Sequence, residues 1–208
     1  MELRHARTSI YNHVSGIGGG MFMNLIPTFE LGLGNSWLLC LPLFAQMLYV
    51  VTIEKDVARR MSDMTGYTAK EKFFTVTASV ASYPFMLATA WTPFSSITPL
   101  LCIGLSIYVL GTVLFFMTLK VIVGAPPDKL FLNGPYRISR NPLYVAATAM
   151  FIGICVATAN IVLFVYLAFS VLLQHHMILA EERICRQRYH SSYESYMGQV
   201  PRYLPWLA

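Results

Sequence analysis

The stretch PLYVAATAMFIGICVATANIVLFVYLAFSVLLQHHMILAEER, Pro142 to Arg183, decides the fold. No Asp, Glu, Lys or Arg occurs between Pro142 and Ala180. A helix needs about 20 mainly apolar residues to span the hydrocarbon core. The run therefore predicts two crossings, 142–158 and 160–180, joined tightly at Thr158-Ala159-Asn160. The second helix leaves the apolar region at Ala180 and meets Glu181-Glu182-Arg183. A hairpin returns the chain to the face it left, so residues before Pro142 and after Ala180 become neighbours.

The pattern repeats outward along the chain. All 15 Lys and Arg residues fall in Met1–His13, Glu54–Lys72, Lys120–Arg140 and Glu181–Arg202. Three apolar stretches separate these segments, and the turns inside them, near Asn35, Pro93–Ser96 and Ala159-Asn160, carry no Lys or Arg. This is the asymmetry counted by the positive-inside rule. It predicts an all-α, multi-pass integral membrane protein with both termini and every basic loop in the cytoplasm. The expected spans are 14–33, 36–53, 73–92, 97–119, 142–158 and 160–180: about six, or five if the first does not cross. That first segment is rich in glycine and carries Asn24, Pro27 and Glu30, but a basic start without a small-residue cleavage pattern marks it as a retained anchor.

Composition agrees with a single membrane domain over residues 1–208. Hydrophobic residues make up 56% and charged residues 12%, against about 25% charged in soluble domains. The net charge of +5 is spread over four loops with no dense run, which argues against nucleic acid as a partner and for the bilayer surface. Cys40, Cys102, Cys155 and Cys185 lack metal-type spacing and read as buried thiols without a disulfide framework. Tyr189, Tyr193 and Tyr196 share one helical face and, with Met197 and Trp206, suit a C-terminal amphipathic helix at the cytoplasmic interface.

Two polar clusters flank the last hairpin. One is Gly134-Pro135-Tyr136-Arg137-Ile138-Ser139-Arg140-Asn141-Pro142-Leu143-Tyr144. The other is Glu181-Glu182-Arg183 with the closing Val200-Pro201-Arg202. Pro142 suits a first helical turn, where its missing N–H costs little. The start of that helix, beside Arg140, offers free N–H groups and a positive dipole end to a carboxylate or phosphate. Glu181 and Glu182 can hold a cationic group opposite.

The spacing G-x-Y-x-x-x-R-x-P-x-Y, an apolar hairpin, E-E-R and then Y-x-x-Y-x-x-x-V-P-R-x-x-P resembles the isoprenylcysteine carboxyl methyltransferase family and its phospholipid N-methyltransferase relatives. The resemblance covers roughly residues 125–208. It implies S-adenosylmethionine as cofactor and a lipophilic or small acceptor, with a carboxylate, amine or thiol taking the methyl group. Tyr136, Arg140, Asn141, Pro142 and Tyr144 fall on the cofactor-binding motif, and Glu181 and Glu182 on its acidic pair. Glu182 and Arg202 are the catalytic candidates, Glu182 as the base for an amine or thiol. No metal is implied. Asn141 stands where the family usually has histidine, and it supplies an amide hydrogen bond but no charge.

Membrane sterol reductases, which use NADPH, share an Arg-x-Pro-x-Tyr motif and form a rival reading. The Glu181-Glu182 pair and the Val200-Pro201-Arg202 ending favour the methyltransferase. A scaffold that kept the fold without catalysis is the non-enzyme alternative. His175-His176 invites a metal reading, but a chain with five histidines is short of ligands for a histidine-rich di-iron site.

Overall fold

The computed structural model describes residues 32, 34–126 and 129–204, so the expected span at 14–33, residue 32 apart, and Trp206 lie outside the described residues. The described chain is helical, with no strands. After a 3₁₀ turn at Ser36–Cys40 come α1 (Leu41–Thr52), α2 (Lys55–Met61), α3 (Ala69–Thr89) and α4 (Thr98–Gly124). A second 3₁₀ turn at Gly134–Arg137 leads into α5 (Pro142–Thr158) and α6 (Ile161–Gln199).

Among the described residues, α4 and α6 are each long and apolar enough to cross a membrane. A third crossing is formed if Ser36–Thr52 and α2, which meet at a bend of 106°, count as one broken span. Helix α5, at 17 residues, is a shorter apolar helix. Leu110, Val165 and Leu172 lie exposed while Phe115, Met150 and Ile154 are buried. Helices apolar on both their inner and outer faces fit a lipid surround. The protein is an integral membrane protein.

The two ends of the bundle are held together differently. At one end the uncharged turns are tied together: Ser36 N–H donates to the Thr92 carbonyl at 3.0 Å, Ser95 N–H to Ala157 at 2.9 Å, and the Asn35 amide to Ala90 at 2.8 Å. At the other end the basic loops meet. Arg183 reaches Glu71 at the start of α3 with two bonds of 2.7 Å and the Gly66 carbonyl at 2.9 Å. Thr68 and Glu71 also form a capping box that starts α3, each side chain serving the other's backbone N–H.

Helices α4 and α5 are the closest pair, and small residues set that closeness. A Cβ on Gly153 would lie 2.6 Å from the Tyr108 backbone nitrogen and 2.7 Å from the Gly104 carbonyl oxygen. Interfaces of small residues let membrane helices approach backbone to backbone. Gly153→Ala is therefore expected to destabilise the protein by ~1–3 kcal/mol through overpacking. Gly198→Ala, where an added methyl meets nothing within 4 Å, is the control. Thermal unfolding in detergent compares them, and equal midpoints would refute the tight-seam reading.

The predicted hairpin forms with its turn in place. Ala159 takes a left-handed conformation (φ 50°), and the Asn160 side chain caps α6 by accepting from Val162 and Leu163 N–H at 2.9 and 3.3 Å. Helix α6 continues past Ala180 through Glu181-Glu182-Arg183, as expected. It runs on to Gln199 and breaks at His190 (φ 47°, ψ −127°). The part expected as an amphipathic helix on the headgroups is thus the end of α6. Tyr193 and Tyr196 point inward, 4% and 7% exposed. Cys102 is exposed on α4, a correction to its reading as a buried thiol, while Cys40 and Cys155 are buried.

Candidate functional site

The site lies at the basic end, where α5 begins and α6 leaves the apolar layer. Three connections close it. Arg140 N–H donates to the Pro201 carbonyl at 2.9 Å, the Ser139 hydroxyl donates to the Arg202 carbonyl at 3.1 Å, and the Tyr196 hydroxyl donates to the Tyr136 carbonyl at 2.6 Å. The break at His190 turns the chain so that Val200-Pro201-Arg202 comes back against the Tyr136–Tyr144 loop.

Glu182 is the hub, with its side chain 5% exposed. Arg140 donates to Oε1 through Nε at 3.2 Å and to Oε2 through Nη2 at 3.5 Å. The Asn141 amide donates to Oε1 at 3.0 Å, and Arg202 to Oε2 through Nε at 3.0 Å and Nη2 at 2.9 Å. Both oxygens are thus engaged by charge-assisted bonds, which offset the desolvation of the buried ions. Arg140 gives a further bond to the Met197 carbonyl at 3.1 Å, and Asn141 one to the Arg202 carbonyl at 3.2 Å. The sequence reading set Arg140 and the acidic pair opposite each other across a ligand. In the structure Arg140 and Glu182 pair directly, because a guanidinium that is 8% exposed needs its counter-charge within the protein. Two arginines on one glutamate leave one positive charge in excess, and Arg202, 33% exposed, is the accessible cation.

Glu181 has a different environment. It accepts a hydrogen bond from the Tyr144 hydroxyl. Part of the residue stays exposed, yet protein surrounds the carboxyl closely. Burial pushes its pKa up to about 7, nearby Glu182 adds to the rise, and the Tyr144 bond opposes it. Tyr67 and Tyr136 lie within electrostatic reach of the same carboxyl. No side chain caps the start of α5, where Pro142 fills the first turn.

The structure therefore brings together Tyr136, Arg140, Asn141, Pro142, Tyr144, Glu181, Glu182 and Arg202. Sequence reasoning missed Tyr67, which sits in an ordinary loop, and Tyr203, whose hydroxyl meets His175 Nδ1 at 2.6 Å. Nothing local marks either residue. The His175-His176 pair diverges, with His176 stacked on Phe74 at 4.5 Å. Among the described residues no three His, Cys, Asp or Glu gather to hold a metal.

The phospholipid methyltransferase family model matches residues 79–192, more than half of the chain. The chain belongs to the phospholipid methyltransferase family. The matched region runs from α3 through the hairpin to just past the His190 break, so it contains the Tyr136–Tyr144 loop and both glutamates. It begins well before the region of the sequence resemblance and ends before Arg202. This is a family of membrane methyltransferases, which supports that reading. No curated protein and no solved structure matches the chain.

Proposed function

We propose that this phospholipid methyltransferase relative uses S-adenosylmethionine to methylate a lipophilic or small acceptor at the cytoplasmic face of the membrane. The observation that carries the reading is Glu181: a carboxylate with some exposure, set among tyrosines at the mouth of the hairpin. S-adenosylmethionine supplies a methyl group on a sulfonium, and it also carries an ammonium, a carboxylate and an adenine. The residues present fit that set. Glu181 and the faces of Tyr67, Tyr136 and Tyr144 suit a cation. The uncapped start of α5 and the accessible guanidinium of Arg202 suit a carboxylate.

Glu182 holds Arg140, Asn141 and Arg202 in place and has no free oxygen edge for a proton. Glu181, titrating near neutrality, is the carboxylate positioned to take the proton that an amine or thiol acceptor gives up. A carboxylate acceptor needs no base. The tyrosines around Glu181 exclude water and fix the approach, which matters most for an in-line displacement. Calorimetry with S-adenosylhomocysteine tests the cofactor, with NADPH as the contrast. Binding of NADPH alone would reject the reading.

The topology belongs to the same proposal: six spans, an even number, with both termini cytoplasmic, because all basic loops then share one side. Reporter fusions after Asn35, Ser95 and Asn160 are expected to report the outer side, and fusions after Arg60 and Lys129 the inner side. An outward Lys129 would overturn it.

A further inference from the structure

The loop between α2 and α3 carries Tyr67 to the mouth of the hairpin and holds it there. Gly66, in a left-handed conformation (φ 81°), turns the chain just before it. The Gly66 carbonyl accepts from Arg183 Nη2 at 2.9 Å, Tyr67 N–H donates to the Met64 carbonyl at 3.2 Å, and Thr68 is fixed by its capping box with Glu71. Arg183 grips Glu71 as well, with Nε and Nη2 on its two oxygens at 2.7 Å. One guanidinium thus fixes the chain on both sides of Tyr67. The loop is seated on α6, since a Cβ on Gly66 would lie 3.2 Å from Ile184 Cδ1. Residues three and four apart share a helix face, so Ile184 and Cys185 lie on the same side of α6 as Glu181.

The titratable groups around the Glu181 carboxyl are Glu182 and Cys185 on α6, Tyr144 on α5, Tyr136 in the loop before it, and Tyr67. Of these, Tyr67 alone comes from before residue 79, where the family match begins. Burial, and after it the Glu181 carboxylate, push the Tyr67 hydroxyl above its ordinary range, so it stays protonated. The Arg183–Glu71 pair is 34% and 21% exposed. A pair this open to water contributes little to stability. What it supplies is geometry.

We infer that Arg183 is a positioning residue: with Glu71 it clamps the α2–α3 loop so that Tyr67 covers the Glu181 carboxylate and walls the cation site from outside the hairpin. The clamp acts through Tyr67 and does not touch the ligand. The ring keeps water from the carboxylate and offers its face to the bound positive charge. That this charge belongs to S-adenosylmethionine rests on the methyltransferase reading; the cover over Glu181 does not.

Infrared spectroscopy of the detergent-purified full chain tests the cover without a ligand. The band of the protonated Glu181 carboxyl, assigned by its absence in Glu181→Gln, is followed from about pH 4 to about pH 9. Arg183 and the Thr68 N–H hold the Glu71 carboxyl well below the usual range, so the clamp stays charged through most of the titration. The wild type is expected to lose the band at about pH 7, and Tyr67→Ala, which admits water, at a lower pH. Arg183→Gln is expected to lower the midpoint too, although removing a nearby cation would by itself raise it. Glu71→Gln keeps the capping acceptor and the Gly66 bond, so its fall should be smaller. The double variant Arg183→Gln/Tyr67→Ala is expected to titrate where Tyr67→Ala does, because the clamp has nothing left to position. An Arg183→Gln midpoint that rises or stays, or shifts that add in the double variant, would overturn the proposal. So would a wild-type midpoint in Tyr67→Ala. Calorimetry on the same preparations at about pH 8 adds the ligand. S-adenosylmethionine is expected to bind about tenfold more weakly to either single variant, the loss of one partly desolvated cation–ring contact, and no more weakly to the double. A wild type that does not bind it would count against the methyltransferase reading and leave the infrared midpoints to decide the clamp.

Discussion

Glu182→Ala will cost about 3–5 kcal/mol of stability, the usual consequence of removing one partner of a buried ion pair. Arg140 would remain 8% exposed with no counter-charge. Arg202 and the Asn141 amide would lose the same acceptor. The loss would not stay local, because these residues also receive the returning chain: Arg140 N–H and the Asn141 amide hold the Pro201 and Arg202 carbonyls. The Tyr136–Tyr144 loop and the end of α6 should therefore loosen together. Thermal unfolding and hydrogen exchange read both effects. Glu182→Gln separates charge from shape, since its carbonyl still accepts one bond while its amide confronts a guanidinium. It should fall between wild type and alanine. A Glu182→Ala protein as stable as wild type would show that the hub contributes nothing.

The fate of Asn141 follows from the same hub. It stands where the sequence resemblance implies a histidine, and this is the feature that favours a non-catalytic scaffold. Its amide donates to Glu182 and to the Arg202 carbonyl, so the substitution keeps a donor where the hub needs one. Asn141 is 8% exposed, which leaves it little surface to offer a ligand. The departure therefore alters the support of the site, and Glu181 and Tyr144 keep their own contact regardless.

Some of this was legible in the sequence because it depends on the chain's own chemistry. Absence of charge from Pro142 to Ala180 fixes the hairpin, Asn160 caps its second helix, and the clustering of Lys and Arg fixes which ends of the helices share a face. The meeting of the Tyr136–Tyr144 loop with Glu181 and Glu182 follows from the hairpin alone. The rest depends on tertiary packing. Nothing around His190 signals a break, since no proline or glycine adjoins it. Without that break, Tyr193 and Tyr196 read as interfacial residues, and Arg202 has no route back to Glu182. The division of labour between adjacent glutamates is equally hidden. Consecutive helix positions point about 100° apart, so one carboxylate turns into the arginine cluster and the other towards Tyr144, and only the packed neighbours decide which does which.

That division makes a pH signature the sharpest test of the site. The Glu181 carboxyl titrates at about 7, above the ordinary 4.5 for glutamate, because burial disfavours its charged form. At pH 6 it is mostly neutral, and at pH 8 mostly ionised. The folded protein thus holds a proton that the unfolded chain has released between pH 4.5 and 7, so the ligand-free protein should lose stability as pH rises through that window. Cation binding has the opposite sign. Affinity for S-adenosylmethionine should rise from pH 6 to pH 8 and then level off, because the ionised carboxylate is the form that meets the positive charge. Glu181→Gln keeps the shape and removes the ionisation. It should flatten both profiles and weaken binding at pH 8 by about 10- to 100-fold, the loss of one charge-assisted contact of roughly 1.5–3 kcal/mol. S-adenosylhomocysteine, which lacks the sulfonium charge, should suffer less than S-adenosylmethionine if Glu181 faces the sulfur, and equally if it faces the ammonium. Tyr144→Phe removes the hydroxyl that favours the ionised form, so it should move the midpoint upward while leaving the slope. Calorimetry across pH on wild type, Glu181→Gln and Tyr144→Phe measures all of this. An affinity profile that keeps its rise in Glu181→Gln would place the titrating group elsewhere and remove Glu181 from the centre of the site.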